Sequence, residues 1–566
     1  MMNRTRILWI VPAIALGALN LYAAGSEVAD AAMKRDREAV RALVARKADV
    51  NAPQVDGATA LHWAVQADDL DLADLLIGAG ANVSAATREG VMPMQLAALN
   101  GSAAMLEKLI KAGADVNAPL TSSLDTALMM ASRAGKADAV KILLDHGART
   151  DAKETWGDTT ALMWAVNEGN HAVVRLLIER GADVNARSKF VPSANGRGFE
   201  GATPTAARSN QAAEDNASGL LTPLLFAARQ GDLESARLLV AAGAEVNVRD
   251  GDGKNALALA IFNGGYDVAS LLIDHGANVN EADAQRFTPL FWAVDRRNME
   301  TAPNFPWVVT ADPLPLIRKL LDAGADVNVV VNNTPRGRMR EGTPRIIFAT
   351  ALMRAAFAGD IELVKLLLAH GANPNVVSKD NETMLMAACG TGFIPGYNNT
   401  RSSAERLEVV KLLIDLGQDV NAADDYGITA LMVAGNIGDV PIIQYLVDKG
   451  ADLGAHDLGK KNDGLFGSSI EPLMPIDYAI GVGTFRPNNA IVFNEEAVKL
   501  MSRLMKERGV KHTTSECTLR GFTCSIANVD PKTATPAQIQ VMRRVQTGYQ
   551  VDGVTGGLGK EGAGQK

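Results

Sequence analysis

Cysteine and histidine are the side chains best able to perform chemistry, and this sequence contains few of either. It has three cysteines and seven histidines in 566 residues. Cys517 and Cys524 enclose six residues in CTLRGFTC, a spacing that matches neither a haem-attachment motif nor a zinc site. Because thiols oxidise readily outside the cytoplasm, we predict a disulfide between them. Cys389 lies in an apolar segment and is predicted to be a small buried thiol.

The sequence contains none of the common catalytic or phosphate-binding motifs. It has no GxGxxG after a strand, no phosphate-binding glycine loop, no HExxH and no GxSxG. His146, His275 and His370 are spread along the chain, so they indicate no metal cluster. We therefore predict a protein that is not an enzyme and that holds no cofactor and no metal. The alternative is an accessory to a periplasmic enzyme, with its site in inserted loops.

Three segments place aromatic residues beside proline, and we predict that they bind a partner. Exposed aromatic side chains next to proline lose little entropy when they dock. The alternative is that each segment folds back on neighbouring helix ends. The predicted partner-binding residues in these segments are Phe305, Trp307, Phe393, Tyr397, Phe485 and Arg486.

A fourth candidate is a basic cluster in a chain of formal net charge −8. Arg336, Arg338, Arg340 and Arg345 stand close to a single acidic residue, Glu341. Such a cluster could receive an acidic partner or a phosphate group. The alternative is a solvated loop that balances nearby acidic residues.

A repeat with a period near 33 residues positions these candidates, apart from Cys517 and Cys524, which stand outside the repeats. The tag KADVNA at 47 recurs as GANVSA at 80, GADVNA at 113, GARTDA at 147 and GADVNA at 181. It continues at 243, 276, 324, 371, 417 and 450, with insertions where the spacing exceeds one period. Each unit has a threonine at a helix start, as in Thr222-Pro223, and a glycine after a second helix, as at Gly80. Two short helices cannot bury their apolar faces alone, so the units must stack.

This unit resembles the ankyrin repeat. The segment TALHWAV at 59–65, followed by GANV at 80–83, carries the resemblance. It implies an all-α solenoid of helix-turn-helix repeats with hairpin fingers, which presents a concave protein-binding surface. Only His62 stands at the histidine of the motif, so stacking must rely more on apolar contact. A row of methionines at this position is predicted to be core, the alternative being an adaptable binding surface. The residues that replace histidine elsewhere are Met129, Met163, Leu225, Phe291, Met353, Met386 and Met432.

We count about twelve repeats across residues 25–512, with degenerate caps at both ends. Residues 513–566 form a C-terminal extension that we expect to be partly disordered. Insertions of one class interrupt fingers, and those of the other class separate the two helices of a repeat. The first class comprises 187–218, 329–345 and 457–472, and the second comprises 299–313, 391–405 and 481–494.

The N-terminus reads as a secretory signal peptide covering residues 1–24. Arg4 and Arg6 precede an apolar run from Ile7 to Leu19, and small residues follow at Ala23 and Ala24. The alternative is an uncleaved segment that anchors the protein in a membrane. Cleavage would place the repeats in the periplasm or outside the cell.

Composition and charge narrow the function further. The chain is 47% hydrophobic but only 5% aromatic, which favours many thin helical modules. Its acidic balance makes nucleic acid a poor partner. We therefore expect a secreted or periplasmic scaffold that binds protein partners, through the concave surface, the inserted loops or both. The alternative is an envelope-anchored structural component, which would contact the membrane only through an uncleaved leader.

Overall fold

A repeated pair of short antiparallel helices is the unit of this structure, a computed structural model. The structure describes residues 26–120, 123–191, 218–298, 311–331, 350–390, 401–459, 472–481 and 494–514. The chain divides into an N-terminal unit within residues 3–284 and a C-terminal unit within residues 285–566. Both units are stacks of helix pairs, which confirms the predicted all-α repeat architecture.

The N-terminal unit contains repeats 1 to 7. Between repeats 5 and 6 lies a two-residue antiparallel strand pair, Phe190–Val191 with Ser218–Gly219. The helix pairs, in order, are Glu27–Met33 with Arg37–Ala45, Ala60–Gln66 with Leu70–Gly78, Pro93–Asn100 with Ala103–Lys111, Ala127–Arg133 with Ala137–Asp145, Ala161–Asn167 with His171–Glu179, Pro223–Gln230 with Leu233–Ala241, and Ala256–Asn263 with Tyr266–Asp274.

The C-terminal unit contains repeats 8 to 12. The helix of repeat 10 that begins at Ser403 starts inside the predicted insertion 391–405, because Ser402 and Glu405 form a capping box there. The helix pairs are Pro289–Arg297 with Leu314–Asp322, Ala351–Ala358 with Ile361–Ala369, Met384–Cys389 with Ser403–Asp415, Ala430–Ile437 with Val440–Asp448, and Pro475–Ile480 with Glu495–Arg508.

Side-chain caps explain where the helices begin. The hydroxyl of Thr222 accepts the N–H of Leu225, and proline at position 223 supplies the first helical residue without an unused donor. Second helices begin in the same way at aspartate, as where Asp69 accepts the N–H of Leu72. They end where a glycine adopts a left-handed conformation, as Gly80 does at φ +88°.

The core of each unit consists of small residues on first helices and leucines on second helices. Ala64, Ala165 and Leu177 are fully buried. Close stacking of the first helices leaves no room for side chains larger than alanine at positions 64 and 165. The thiol of Cys389 is buried as well. The methionines at the histidine position are all buried, which confirms the core interpretation: Met129, Met163, Met353, Met386 and Met432.

Fingers, the loops between the second helix of one repeat and the first helix of the next, are joined by backbone hydrogen bonds. The N–H of Thr155 donates to Ser123 O at 2.9 Å, and that of Lys189 donates to Gly157 O at 2.7 Å. In the C-terminal unit the N–H of Leu458 donates to Tyr426 O at 2.9 Å. Neighbouring fingers within each unit are therefore held side by side.

Candidate protein-binding surface

The site residues predicted from the sequence lie outside the described residues. The structure instead describes the helices and fingers between which these segments run. The leader 1–24 and most of the extension 513–566 also lie outside. The predicted site residues concerned are Phe305, Trp307, Arg336, Arg338, Arg340, Phe393, Tyr397, Phe485, Arg486, Cys517 and Cys524.

Buried ion pairs lie on the edge of the C-terminal unit where first helices turn into second helices. Arg354 Nε lies 2.8 Å from Asp295 Oδ1, and both side chains are 1% exposed. Arg354 also donates to the carbonyl of Asn298, the last described residue before the insertion of repeat 8. This pair therefore joins repeats 8 and 9.

A second ion-pair group lies on the same edge. Arg297 Nε is 2.6 Å from Asp360 Oδ2, and Arg401 Nη2 reaches the same oxygen at 3.0 Å. Arg297 also pairs with Asp312 and Glu362. Burial alone would lower the pKa of Arg297, but its ion pairs with Asp312 and Asp360 raise that pKa above its usual value. The guanidinium of Arg297 is thus charged, and its ion pairs hold neighbouring repeats together.

The edge continues into repeats 11 and 12. Arg406 Nη2 lies 2.6 Å from Asp439 Oδ2, and Ser403 Oγ donates to the other oxygen of Asp439. Asn494 Nδ2 donates to the carbonyl of Asn436 at 3.1 Å. The described residues that flank the predicted insertions are therefore held by ion pairs and hydrogen bonds. The charged side chains described on this edge pair with one another, which gives the edge a rigid frame.

Exposed apolar residues stand on the fingers of the N-terminal unit. Leu124, Trp156 and Phe190 occupy the fingers that precede repeats 4, 5 and 6, and all three are exposed. The inter-finger hydrogen bonds described above involve the residues directly beside them. Three successive fingers thus carry a row of large apolar side chains on ordered backbone.

A buried carboxylate fixes the most prominent of these side chains. Glu154 accepts the N–H groups of Trp156, Gly157 and Thr159 at 2.7 to 3.1 Å, which closes a tight loop at the fingertip. The loop holds Trp156 against Trp164 of the first helix of repeat 5, with 5.5 Å between ring centroids. Trp156 is nonetheless 59% exposed. Ordered and exposed tryptophan is typical of interface anchors.

Two arginines on first helices of the same unit lie over aromatic rings, of which Phe226 is itself buried. Arg133 of repeat 4 stacks over Trp164 at 5.1 Å, and Arg229 of repeat 6 stacks over Phe226 at 4.7 Å. Desolvation lowers the pKa of Arg229 below its usual range. We call Leu124, Arg133, Trp156, Trp164, Phe190, Phe226 and Arg229 the aromatic–basic surface.

Comparison with known proteins identifies the repeat. The family model described as ankyrin repeats (3 copies) matches residues 28–120, 94–188, 224–303, 307–396 and 352–457, which is more than half of the chain. The chain belongs to the ankyrin repeat family. The ankyrin repeat protein YahD of Escherichia coli (strain K12) is 30% identical over 230 residues, 40% of this chain and 95% of that protein.

Two further ankyrin proteins match about half of this chain or less. Ankyrin repeat and SOCS box protein 6 of Homo sapiens is 25% identical over 41% of this chain, which spans 52% of that protein. The crystal structure of the human ASB11 ankyrin repeat domain is 26% identical, with a TM-score of 0.35 over 45% of this chain and 99% of that domain.

The ankyrin histidine position is more polar than its methionines suggest. His62 Nδ1 accepts the N–H of Thr59, and His62 Nε2 lies 3.1 Å from Val91 O. In repeat 3 Gln95 makes the same two contacts, accepting from Met92 N and donating to Ala118 O. From the sequence we expected this network only at His62, and it is retained in more repeats than that.

Other chemistry has little support within the described ranges. No group of three or more His, Cys, Asp or Glu side chains there could hold a metal ion. Burial raises the pKa of the Cys389 thiol far above its usual range, which disfavours the reactive thiolate form. None of the described helices is long and apolar enough to cross a membrane.

Sequence reasoning missed the aromatic–basic surface because it searched the insertions for aromatic residues. Trp156 lies in a finger of ordinary length, between Thr155 and Gly157. The signal was available, since a tryptophan beside a glycine in a repeat loop has no place in the stacked core. The arginines gave no comparable signal, because solvated arginines are common near helix ends.

Proposed function

We propose that this ankyrin protein is a non-catalytic scaffold that binds a protein partner on its aromatic–basic surface. The observation that carries the proposal is Trp156, which stays exposed although Glu154 and Trp164 hold it in place. A pre-ordered aromatic anchor loses little conformational entropy on docking, so its contact area contributes efficiently to affinity. The predicted aromatic insertions 299–313, 391–405 and 481–494 are a separate candidate for partner binding, in the C-terminal unit.

Site-specific photo-crosslinking in the native cell tests this proposal. A photoreactive phenylalanine analogue placed at Leu124 or at Phe190 should give discrete protein adducts, and Trp156→Ala should abolish them. The matched control position is Lys141, which is exposed on the second helix of repeat 4. Equal adducts from Lys141, or no adduct from the two finger positions, would contradict the proposal.

We also propose that the scaffold acts outside the cytoplasm. The support is the N-terminal pattern of Arg4 and Arg6, an apolar run and a small-residue cleavage site at Ala23 and Ala24. Fractionation with a cytoplasmic marker tests it, and replacing the apolar run with polar residues should retain the protein inside the cell.

A further inference from the structure

Cations on the aromatic–basic surface are left without carboxylate partners. Arg133, Arg229 and the neighbouring finger residue Lys189 have no Asp or Glu oxygen within 4.0 Å among the described residues. By contrast, two arginines on or directly after the second helix of repeat 5 are paired. Arg175 lies 3.2 Å from Glu234, and Arg180 lies 2.7 Å from Asp145.

Most carboxylates of the same fingers are already engaged within the protein. Glu154 is buried and accepts backbone N–H groups, and Asp125 accepts the hydroxyl of Ser123. Asp151 pairs with Arg149 at 3.0 Å. Asp158 and Glu168 also lie in this region, but they contact none of the three cations at ion-pair distance. Among the described residues, the three cations therefore outnumber Asp158 and Glu168, in a chain whose net charge is −8.

Stacking also prepares the two guanidinium groups for a carboxylate. A guanidinium held over an aromatic ring still has N–H donors with which it can bind a carboxylate. Arg229 uses one N–H on Asn167 Oδ1 at 3.0 Å, which further fixes its plane. Trp156 and Leu124 offer apolar area for a large side chain of the same ligand.

We propose that the aromatic–basic surface binds an acidic protein segment that carries at least one large apolar residue. The carboxylates of that segment pair with Arg133 and Arg229, and its apolar residue packs on Trp156. This inference rests on the proposed scaffold function and specifies the chemistry of the partner. It also gives binding a strong salt dependence, because ion pairs at an accessible surface are screened.

Selection from a displayed random peptide library tests the proposal with the full-length protein as bait. Selected peptides should be enriched in Asp and Glu near a large apolar residue. Their affinity should fall about tenfold or more for the R133Q/R229Q variant, as expected for loss of two charge-assisted hydrogen bonds. The matched control is K141Q/R175Q, which removes the same charge from exposed second-helix positions and should leave affinity unchanged.

Charge reversal excludes misfolding as the cause of any loss. The R133E/R229E variant should select basic peptides from the same library, a gain that a misfolded protein would not show. Recovery of acidic peptides by this variant would overturn the proposal. So would selected peptides without acidic enrichment, or peptides that bind R133Q/R229Q as tightly as the parent.

A further variant separates this inference from the proposed function. If Trp156→Ala weakens binding of selected peptides that are not acidic, the surface binds protein and only the inferred partner chemistry is wrong. If neither Trp156→Ala nor R133Q/R229Q weakens binding, or if no peptide is recovered, both the inference and the assignment of this surface fail.

Discussion

One buried hydrogen-bonding position, three residues after the first-helix cap, is filled by different residue types in different repeats. His62, Gln95 and Asp477 each accept the backbone N–H of the residue three positions earlier, at 2.7 to 3.0 Å. In repeat 12 the other carboxylate oxygen of Asp477, Oδ1, lies 2.7 Å from His512 Nε2. Where the residue at this position is polar it acts as a hydrogen-bond acceptor, and histidine, glutamine and aspartate can all fill that role.

His62 makes stability depend on pH, and His62→Gln should remove that dependence. Burial lowers the pKa of His62, although the carbonyl of Val91 partly opposes the shift. The unfolded chain then binds the proton more readily, so stability falls as pH drops below the ordinary value of about 6.5. Between pH 7 and pH 5 the urea concentration at the unfolding midpoint should fall more for the parent than for His62→Gln.

Gln95 indicates that glutamine fits this position, so His62→Gln should fold normally at pH 7. Equal acid sensitivity in the two proteins would show that His62 does not titrate against folding. His62→Met copies the residue of repeats 4 and 5, and it should also remove the pH dependence of stability that His62 causes. It should be less stable than His62→Gln, because the N–H of Thr59 and the carbonyl of Val91 lose their partner.

The buried pair of Asp295 and Arg354 makes a second prediction at the residue scale. Arg354→Met should destabilise the C-terminal unit by about 3–5 kcal/mol, because it leaves the buried Asp295 carboxylate without its charged partner. The double variant Asp295→Leu/Arg354→Met should recover most of that loss, since it removes both desolvated charges. Urea unfolding of the full chain measures the stability of both variants. An Arg354→Met protein as stable as the parent would contradict the role given to the buried pair.

At the element scale, the methionines of the first helices act as packing residues. Met163 is buried, and only its backbone N–H is capped, by the hydroxyl of Thr160. Met163→Ala should therefore cost about 2–5 kcal/mol, whereas Met163→Leu should cost less than about 1.5 kcal/mol because it conserves volume.

Both variants at Met163 should retain any partner that the aromatic–basic surface binds, because the side chain is not accessible to a ligand. Thermal unfolding measures the stability of each variant, and peptide affinity measures whether it still binds the partner. Loss of affinity in a stably folded Met163→Leu protein would instead support the alternative interpretation, in which methionines form an adaptable surface.

Helix pairs were predictable because each is specified locally. The cap at Thr222-Pro223 and the stop at Gly80 depend on a few adjacent residues, so sequence alone places those ends closely. The start at Ser403 was harder, since a long insertion precedes it and only the capping box with Glu405 fixes it.

The candidate surface was not predictable in the same way. The contact between Trp156 and Trp164 depends on a fingertip loop that the buried Glu154 closes, and in sequence Glu154 looks like a solvated charge. Stacking of Arg133 on Trp164 joins two repeats whose residues are 31 positions apart. Such contacts follow from the register of the stack, which local patterns do not reveal.

At the scale of the whole molecule, each unit carries its own set of exposed fingertip residues. In the C-terminal unit Tyr426 and Leu458 are exposed on the fingers that precede repeats 11 and 12. The proposed surface with Trp156 lies in the N-terminal unit, whereas Tyr426 lies in the C-terminal unit. Tyr426→Ala should therefore leave unchanged the affinity of acidic peptides that depend on Trp156.

Export and oxidation give the last prediction, because a disulfide between Cys517 and Cys524 is expected only outside the cytoplasm. Cleavage after Ala23 or Ala24 would remove Arg4 and Arg6 and take the net charge from −8 to −10. Denatured without reductant, the exported protein should accept one alkyl group, at Cys389, because burial blocks that thiol only in the folded state. After reduction it should accept three. The same chain without its leader, made in the cytoplasm, should accept three in both cases, and three groups on the unreduced exported protein would exclude the disulfide.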